Sequence, residues 1–188
     1  MRVLETERLL LRPVEESDLG ELLAFQWDRK IMGLMNFKPL SMNDQKEWLK
    51  TLGGKKLAFS IILKAENEQE LIGVATLNQI DHLHQRASWG MKLKMERQSG
   101  GIGFEVSLIL FHFAFSTLNL HKISGDTVAE NAAARKMCQN LGLREEGLLV
   151  SHYYQNGKFR DVVLVGILKE EFYKKNRDAL SKLCLLAE

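Results

Sequence analysis

The residues best suited to chemistry in this chain are Gln98-Ser99-Gly100-Gly101-Ile102-Gly103, set between a strand-like run, Ala87 to Leu93, and a long apolar helical run, Phe104 to Leu118. Glycines at such a junction remove side chains where the backbone must turn tightly and approach a ligand. The helix that follows offers free N–H groups and the positive end of its dipole. That combination binds phosphate. The loop is not a Walker loop, because no Gly-Lys-Ser or Gly-Lys-Thr follows. Nor is it the dinucleotide fingerprint: Val106 stands where a third glycine or alanine belongs, and the loop follows the fourth strand rather than opening a βαβ unit. On its own it fits a plain turn as well as a phosphate site.

Other reactive side chains are sparse. Cys138 and Cys184 have neither a pairing pattern nor metal-site spacing, which suits a reducing compartment. His82 and His84, beside Asp81, titrate in the range of a general base but read more simply as a solvated turn, and His-x-His alone is a weak metal site. His112 lies among phenylalanines and reads as a satisfied core residue. No metal is expected.

The elements that must position these groups follow from periodicity and punctuation. Leu9 to Arg12 is a first strand, ended by Pro13. Ser17 and Asp18 can cap a helix with Leu19, Leu22 and Leu23 on one face. Ser41 to Asp44 has capping-box spacing ahead of Trp48, Leu49 and Leu52, and Gly53-Gly54 stops that helix. Leu57 to Leu63 and Leu71 to Leu77 read as a hairpin around a polar turn, Ala65 to Glu70. Beyond the glycine loop come a strand, His121 to Val128, and a helix, Asn131 to Leu141, capped by Gly142. Leu148 to Tyr154 and Phe159 to Leu168 flank Asn156-Gly157, the strongest short hairpin signal. The tail from Lys169 is helical, and its periodicity fits packing on the domain as well as pairing with another copy. The order β-α-α-β-β-β-α-β-α-β-β predicts an α/β mixed sheet with helices on its faces, in a single domain.

Composition narrows the class. A chain of 188 residues with 45% hydrophobic and 27% charged residues is globular, and a formal net charge of +2 does not advertise a nucleic-acid partner. Charges in Met1 to Glu7 occupy the place of a signal peptide's apolar core. The longest apolar run is short and carries Glu105 and His112. The expectation is a cytoplasmic protein with no membrane partner.

Four stretches together carry a family resemblance. Gln98-x-x-Gly101-x-Gly103 resembles the pyrophosphate motif of the GNAT superfamily of acetyltransferases. Thr6 to Pro13 looks like that family's opening strand; Asn131-x-x-Ala134 with Leu141 to Gly147 looks like its second cofactor motif; Tyr154 to Asp161 looks like its final hairpin. The likeness covers about residues 4–172, leaves 173–188 as a helical tail, and is nearest to the RimJ/RimL branch. It implies a sheet of about seven strands splayed between strands four and five by a bulge in strand four. It implies acetyl-CoA as co-substrate, its pyrophosphate on the backbones of Gln98, Ser99, Gly100, Gly101, Ile102, Gly103 and Phe104. Pantetheine would lie along Met91, Lys92 and Leu93, hydrogen-bonded by Asn131. A backbone N–H in the splay would stabilise the oxyanion. Asn131 equally reads as a helix cap.

Two positions depart from the family pattern. Cys138 stands where many members carry the tyrosine that protonates the leaving thiolate, and Ser88 stands where a glutamate serves as base through water. Cys138 is a candidate acid or a small core residue; Ser88 is a candidate for ordering a water. The implied reaction is direct acetyl transfer to a primary amine, driven by orientation and oxyanion stabilisation. The first expectation is a protein N-terminal amine, with a polyamine, amino sugar or aminoglycoside as the alternative, and a non-catalytic acyl-CoA-binding protein from another class. The acceptor pocket should lie between the first two helices, their connecting loop and the last hairpin. Candidate walls are Trp27, Met32, Met35, Phe37, Trp48, Tyr153 and Tyr154, and candidate acidic groups are Glu15, Glu16, Asp28 and Asp44. A monomer or a homodimer is expected.

Overall fold

The computed structural model of the protein describes residues 4–27, 40–64, 69–183 and 185. Among them are eight strands: β1 (Leu4–Glu5), β2 (Leu9–Pro13), β3 (Leu57–Lys64), β4 (Gln69–Asp81), β5 (Arg86–Leu93), β6 (Lys122–Val128), β7 (Arg144–Gln155) and β8 (Lys158–Leu168). Five α-helices accompany them: α1 (Leu19–Trp27), α2 (Met42–Lys50), α3 (Ile102–Ser116), α4 (Ala132–Leu141) and α5 (Lys169–Lys182). One sheet runs β1-β2-β3-β4-β5-β6-β8-β7. Every neighbouring pair is antiparallel except β5 and β6. The strand beyond the expected seven is the two-residue β1, too short for periodicity to reveal.

Alternation along the strands assigns each face of the sheet to its helices. Phe59 and Ile61 of β3 join the large core built on α3, α4 and α5, with Phe172 and Leu180 of the tail helix packed into it. Ala58 and Ile62 face the other way, with Leu19, Leu22 and Leu71. Phe25, Trp48 and Leu49 of α1 and α2 pack on that second cluster. Helix α3 is apolar on all sides, and its sequence shows no polar face because nearly all of it is buried. No described helix is long and apolar enough to cross a membrane.

The parallel pair β5–β6 is short. Its register holds for Arg86↔Lys122, Ala87↔Ile123 and Ser88↔Ser124 and then ends, although both strands run on. The next facing residues are Trp89 and Gly125. The Trp89 indole occupies the space a Gly125 side chain would take, with its Nε1 2.7 Å from a Cβ built there. An edge-to-face contact with Phe111, at 5.1 Å between centroids, holds the ring in place. The sheet therefore opens at the expected splay. The expected bulge, however, is not in β5. It lies in β4, where Gln79 (φ 52°) and Ile80 oppose the single residue Ala87, while β5 pairs regularly with β4 from Ser88 to Leu93. The polar turn predicted for residues 65–70 is shorter at its end, since Gln69 and Glu70 belong to β4; residues 65–68 lie outside the described set.

Candidate active site

Two cavities flank the opened end of β5. The first, of about 650 Å³, lies between the last residues of β5, the glycine loop and α4. Met91, Lys92, Leu93, Gln98, Gly101, Gly103, Phe104 and Asn131 line it, as do Ala133, Ala134, Lys136, Met137 and Asn140 of α4. Gly100 and Gly101 both take left-handed backbone angles, φ 70° and 74°, and Gly101 is the N-cap of α3 with no side chain to satisfy the first-turn N–H groups. Those donors are left for a ligand. The Gln98 amide donates to the Leu93 carbonyl at 3.3 Å, closing the loop onto the strand. Ser99, Gly100 and Ile102 belong to the loop without lining the cavity.

A residue that local sequence reading passed over holds the loop from outside. Arg8 donates from Nη2 to the Gly100 carbonyl at 3.1 Å and from Nε to Glu105 at 2.6 Å. Glu105, buried in the first turn of α3, also accepts from Thr6 Oγ1 at 2.6 Å. Arg8 carried only a strand assignment, and its partners lie more than ninety residues away in sequence, so no local signal marks it.

Asn131 caps α4, its Oδ1 accepting from the Ala134 N–H at 3.0 Å, and its residue also lines the cavity. Cys138, on the same helix, is 4% exposed and belongs to the main core, outside the lining of either cavity. Burial, with a smaller push from the Glu145 charge, raises its thiol to about 11, so it is a neutral thiol at physiological pH. Ser88 sits at the last rung of the β5–β6 ladder and donates to the Asn78 carbonyl at 3.3 Å. It too lines neither cavity. The three side chains singled out for chemistry are thus not gathered at one point.

The second cavity, of about 530 Å³, opens on the other face of the sheet. Its roof is Leu22 and Phe25 of α1, Leu40, and Asp44, Gln45 and Trp48 of α2. Its floor is Val74, Thr76 and Asn78 of β4 with Gly90, Met91 and Lys92 of β5, and Lys56 stands at one side. Thr76 Oγ1 accepts from the Asn78 amide at 3.0 Å and donates to the Gly90 carbonyl at 3.4 Å. Burial, reinforced by the nearby charge of Lys56, pushes Lys92 down to about 8, and burial alone lowers Lys56. Met91 and Lys92 belong to both linings, so the cavities adjoin at β5 beyond the splay.

The remaining candidates fall elsewhere. Glu16 pairs with Lys46 at 2.7 Å, and Glu15 caps the short turn before α1. Trp27 is exposed at the end of α1. Tyr153 donates to Asp126 at 2.7 Å and Tyr154 packs on Phe159; neither lines a cavity. The final hairpin contributes nothing to the described lining of either cavity. His82 and His84 lie in an exposed turn closed by the His84 N–H on Asp81, and His112 meets the Tyr173 hydroxyl at 3.1 Å. Asp28, Met32, Met35, Phe37 and Cys184 lie outside the described residues. Among the described residues no three His, Cys, Asp or Glu side chains cluster as a metal site would need.

Comparison with known proteins identifies the family. Residues 8–144 match the acetyltransferase (GNAT) domain family. The uncharacterized N-acetyltransferase p20 of Bacillus licheniformis is 30% identical over 178 residues, covering 92% of this chain and 99% of that protein. The crystal structure of spermidine N-acetyltransferase from Vibrio cholerae, in complex with CoA and spermine, superposes with a TM-score of 0.81 at 27% identity, covering 88% of this chain and 98% of that one. Mycobacterium smegmatis RimJ, in complex with CoA-disulfide, shares the fold with a TM-score of 0.80 at 22% identity, over 97% of both chains. The chain belongs to the GNAT acetyltransferase family. It is an acetyl-CoA-dependent N-acetyltransferase.

Proposed function

We propose that acetyl-CoA occupies the cavity beside the glycine loop, that a primary amine occupies the cavity under α1 and α2, and that the acetyl group passes directly between them in a ternary complex. The observation that carries this reading is the sharing of Met91 and Lys92 by the two cavities where β5 has parted from β6. Pyrophosphate would take the free N–H groups of the α3 N-terminus, and pantetheine would run along Met91 to Leu93. The amine nitrogen attacks the thioester carbonyl; a C–N bond forms, the C–S bond breaks, the ammonium proton leaves to solvent and the thiolate departs. A backbone N–H beside the splay would hold the oxyanion, and positioning would supply much of the acceleration.

The acceptor read first is the N-terminal amine of a peptide. The partly apolar roof of Leu22, Phe25, Leu40 and Trp48 supports it by offering contact area to a chain's first side chains. A polyamine acceptor is the second reading, favoured by the spermine in the Vibrio cholerae structure.

Thermal unfolding with and without acetyl-CoA, on wild type and on Gly101→Trp, tests the coenzyme half. Coenzyme at about 100 times its Kd should stabilise the wild type by about 2.7 kcal/mol. The variant should lose that shift, because a side chain at the left-handed Gly101 strains the loop whose N–H groups would hold the pyrophosphate. Thiol release in the presence of a short peptide amide or spermidine tests the transfer half. No stabilisation of the wild type at saturating coenzyme would overturn the coenzyme assignment; stabilisation without thiol release on any amine would leave only binding.

A further inference from the structure

The acceptor cavity is built around cations rather than for them. Among the described residues, Lys56 and Lys92 both line it, against one carboxylate, Asp44. That carboxylate is committed elsewhere: its Oδ2 accepts from the Ser41 backbone N–H at 2.7 Å and the Ser41 hydroxyl at 2.6 Å, as the capping box of α2. The other described acids on the surrounding elements are engaged outside the cavity. Glu21 of α1 pairs with Lys94, and Glu70 of β4 with Lys94 and Arg97. Glu47 of α2 pairs with Lys50.

A second observation comes from the roof. Gln45 is 2% exposed and lines the cavity, yet its Nε2 finds no hydrogen-bond partner among the described residues. A buried amide N–H2 without an acceptor is costly, and buried polar side chains are ordinarily satisfied. Helical spacing puts Gln45 and Trp48 on one face of α2, and Lys56 lies over the Trp48 ring, 5.6 Å from its centroid. A buried orphan donor and two lysines therefore border one cavity.

We propose that the amine acceptor carries an anionic group, of carboxylate chemistry, seated between Lys56, Lys92 and the Gln45 amide while its amine reaches across β5 to the thioester. This deepens the reading of that cavity as the acceptor site. A carboxylate would supply the acceptor Gln45 lacks and a counter-charge for the desolvated ammonium group of Lys56, beside that of Lys92. A polyamine would instead bring further positive charge beside Lys56 and Lys92. The carboxylate has two sources, a free amino acid or an acidic residue at a peptide's N-terminus, and both present the same group to the cavity.

The test is kcat/KM at saturating acetyl-CoA for 4-aminobutyrate, butylamine and spermidine, and for the peptide amides Glu-Ala-Ala and Ala-Ala-Ala. The carboxylate-bearing member of a matched set should exceed its neutral counterpart by about tenfold or more. Preference within the small amines assigns a free amino acid; preference within the peptides assigns an acidic N-terminus. Lys56→Gln should erase the preference and Lys56→Glu should invert it toward spermidine, with coenzyme-induced thermal stabilisation retained as the sign of an intact fold. Should Lys56→Glu not fold, Lys56→Gln and Gln45→Leu carry the same test. Wild-type turnover of spermidine or butylamine equal to or above 4-aminobutyrate, with the two peptides equal, would overturn the inference. Coenzyme binding without transfer to any amine would instead overturn the transfer reading beneath it.

Discussion

Lys92 is the residue at which stability and the proposed function oppose one another. Its ammonium group is buried beside Lys56, which pushes its pKa from 10.5 to about 8. Between those values the unfolded chain holds a proton that the folded chain has released, so stability rises with pH through this window. Full relief is on the order of 3 kcal/mol. Cys138 acts in the opposite sense. Burial raises its thiol from 9.0 to about 11, so above pH 9 the unfolded chain loses its proton first and stability falls. The interval in which Lys92 acts alone of the two is therefore about pH 8 to 9. Lys92→Met should be more stable than wild type at pH 7 by on the order of 2 kcal/mol, with the gap narrowing by about 1 kcal/mol at pH 9. Urea unfolding at both pH values measures this, and a gap independent of pH would show that Lys92 keeps its ordinary pKa. At Cys138 the expectation is structural: Cys138→Ala should cost about 1 kcal/mol through lost packing while retaining transfer. A fall in kcat of about a hundredfold in a folded Cys138→Ala protein would return that thiol to the role of acid.

Helix α4 shows how one residue can serve an element and a site together. Asn131 closes the first turn of α4 through Ala134 and also borders the cavity proposed for the coenzyme. Asn131→Ala should lose about 1 kcal/mol with the cap. Asn131→Asp keeps an accepting oxygen at the N-terminus, so it should preserve stability while weakening acetyl-CoA by about tenfold through the lost amide donor. Calorimetric titration beside thermal unfolding separates the two roles; unchanged coenzyme affinity in Asn131→Asp would leave only the cap. Elements bounded by such local chemistry were legible in the sequence. The Ser41–Asp44 capping box forms as its spacing predicts, Gly142 caps α4, and Asn156-Gly157 turns the last hairpin at φ 51° and 78°. Features set by distant partners were not legible. The bulge in β4 reflects strand pairing, and the tie from Arg8 to Gly100 joins residues 92 apart. Lys92, expected along the coenzyme, borders the cavity beside the glycine loop. Alternation alone does not reveal that α1 and α2 cover it on the other face, nor that Gln45 is left without a partner beneath them.

At the scale of the whole molecule, two buried carboxylates pin the two helical layers to the sheet. Glu105 ties the start of α3, and with it the glycine loop, to Thr6 and Arg8 at the sheet's edge. On the opposite face Asp18, 5% exposed, joins Arg12 of β2, Ser60 of β3 and the Glu15 N–H at the turn into α1. Because α1 supplies Leu22 and Phe25 to the cavity proposed for the acceptor, Asp18 fixes that cavity's roof over its floor. Burial by itself would raise the Asp18 pKa, but the paired bonds from Arg12, the Glu15 N–H and the Ser60 hydroxyl outweigh it and hold the carboxyl below its ordinary 3.8. The stabilisation is therefore complete above pH 3.8 and is lost as pH falls through the lower folded value. Asp18→Asn retains the shape but leaves Arg12 without its counter-charge, and should cost about 2 to 3 kcal/mol at pH 7. The gap to wild type should stay constant down to about pH 5 and close only below the ordinary carboxylate range. Acid and urea unfolding of both proteins read that gap directly, and a gap closing well above pH 5 would place the stabilisation elsewhere. Since the pin holds the roof of only one cavity, the same substitution should raise KM for the amine and leave coenzyme affinity unchanged. Equal loss at both sites would mean that the two faces of the sheet do not yield independently.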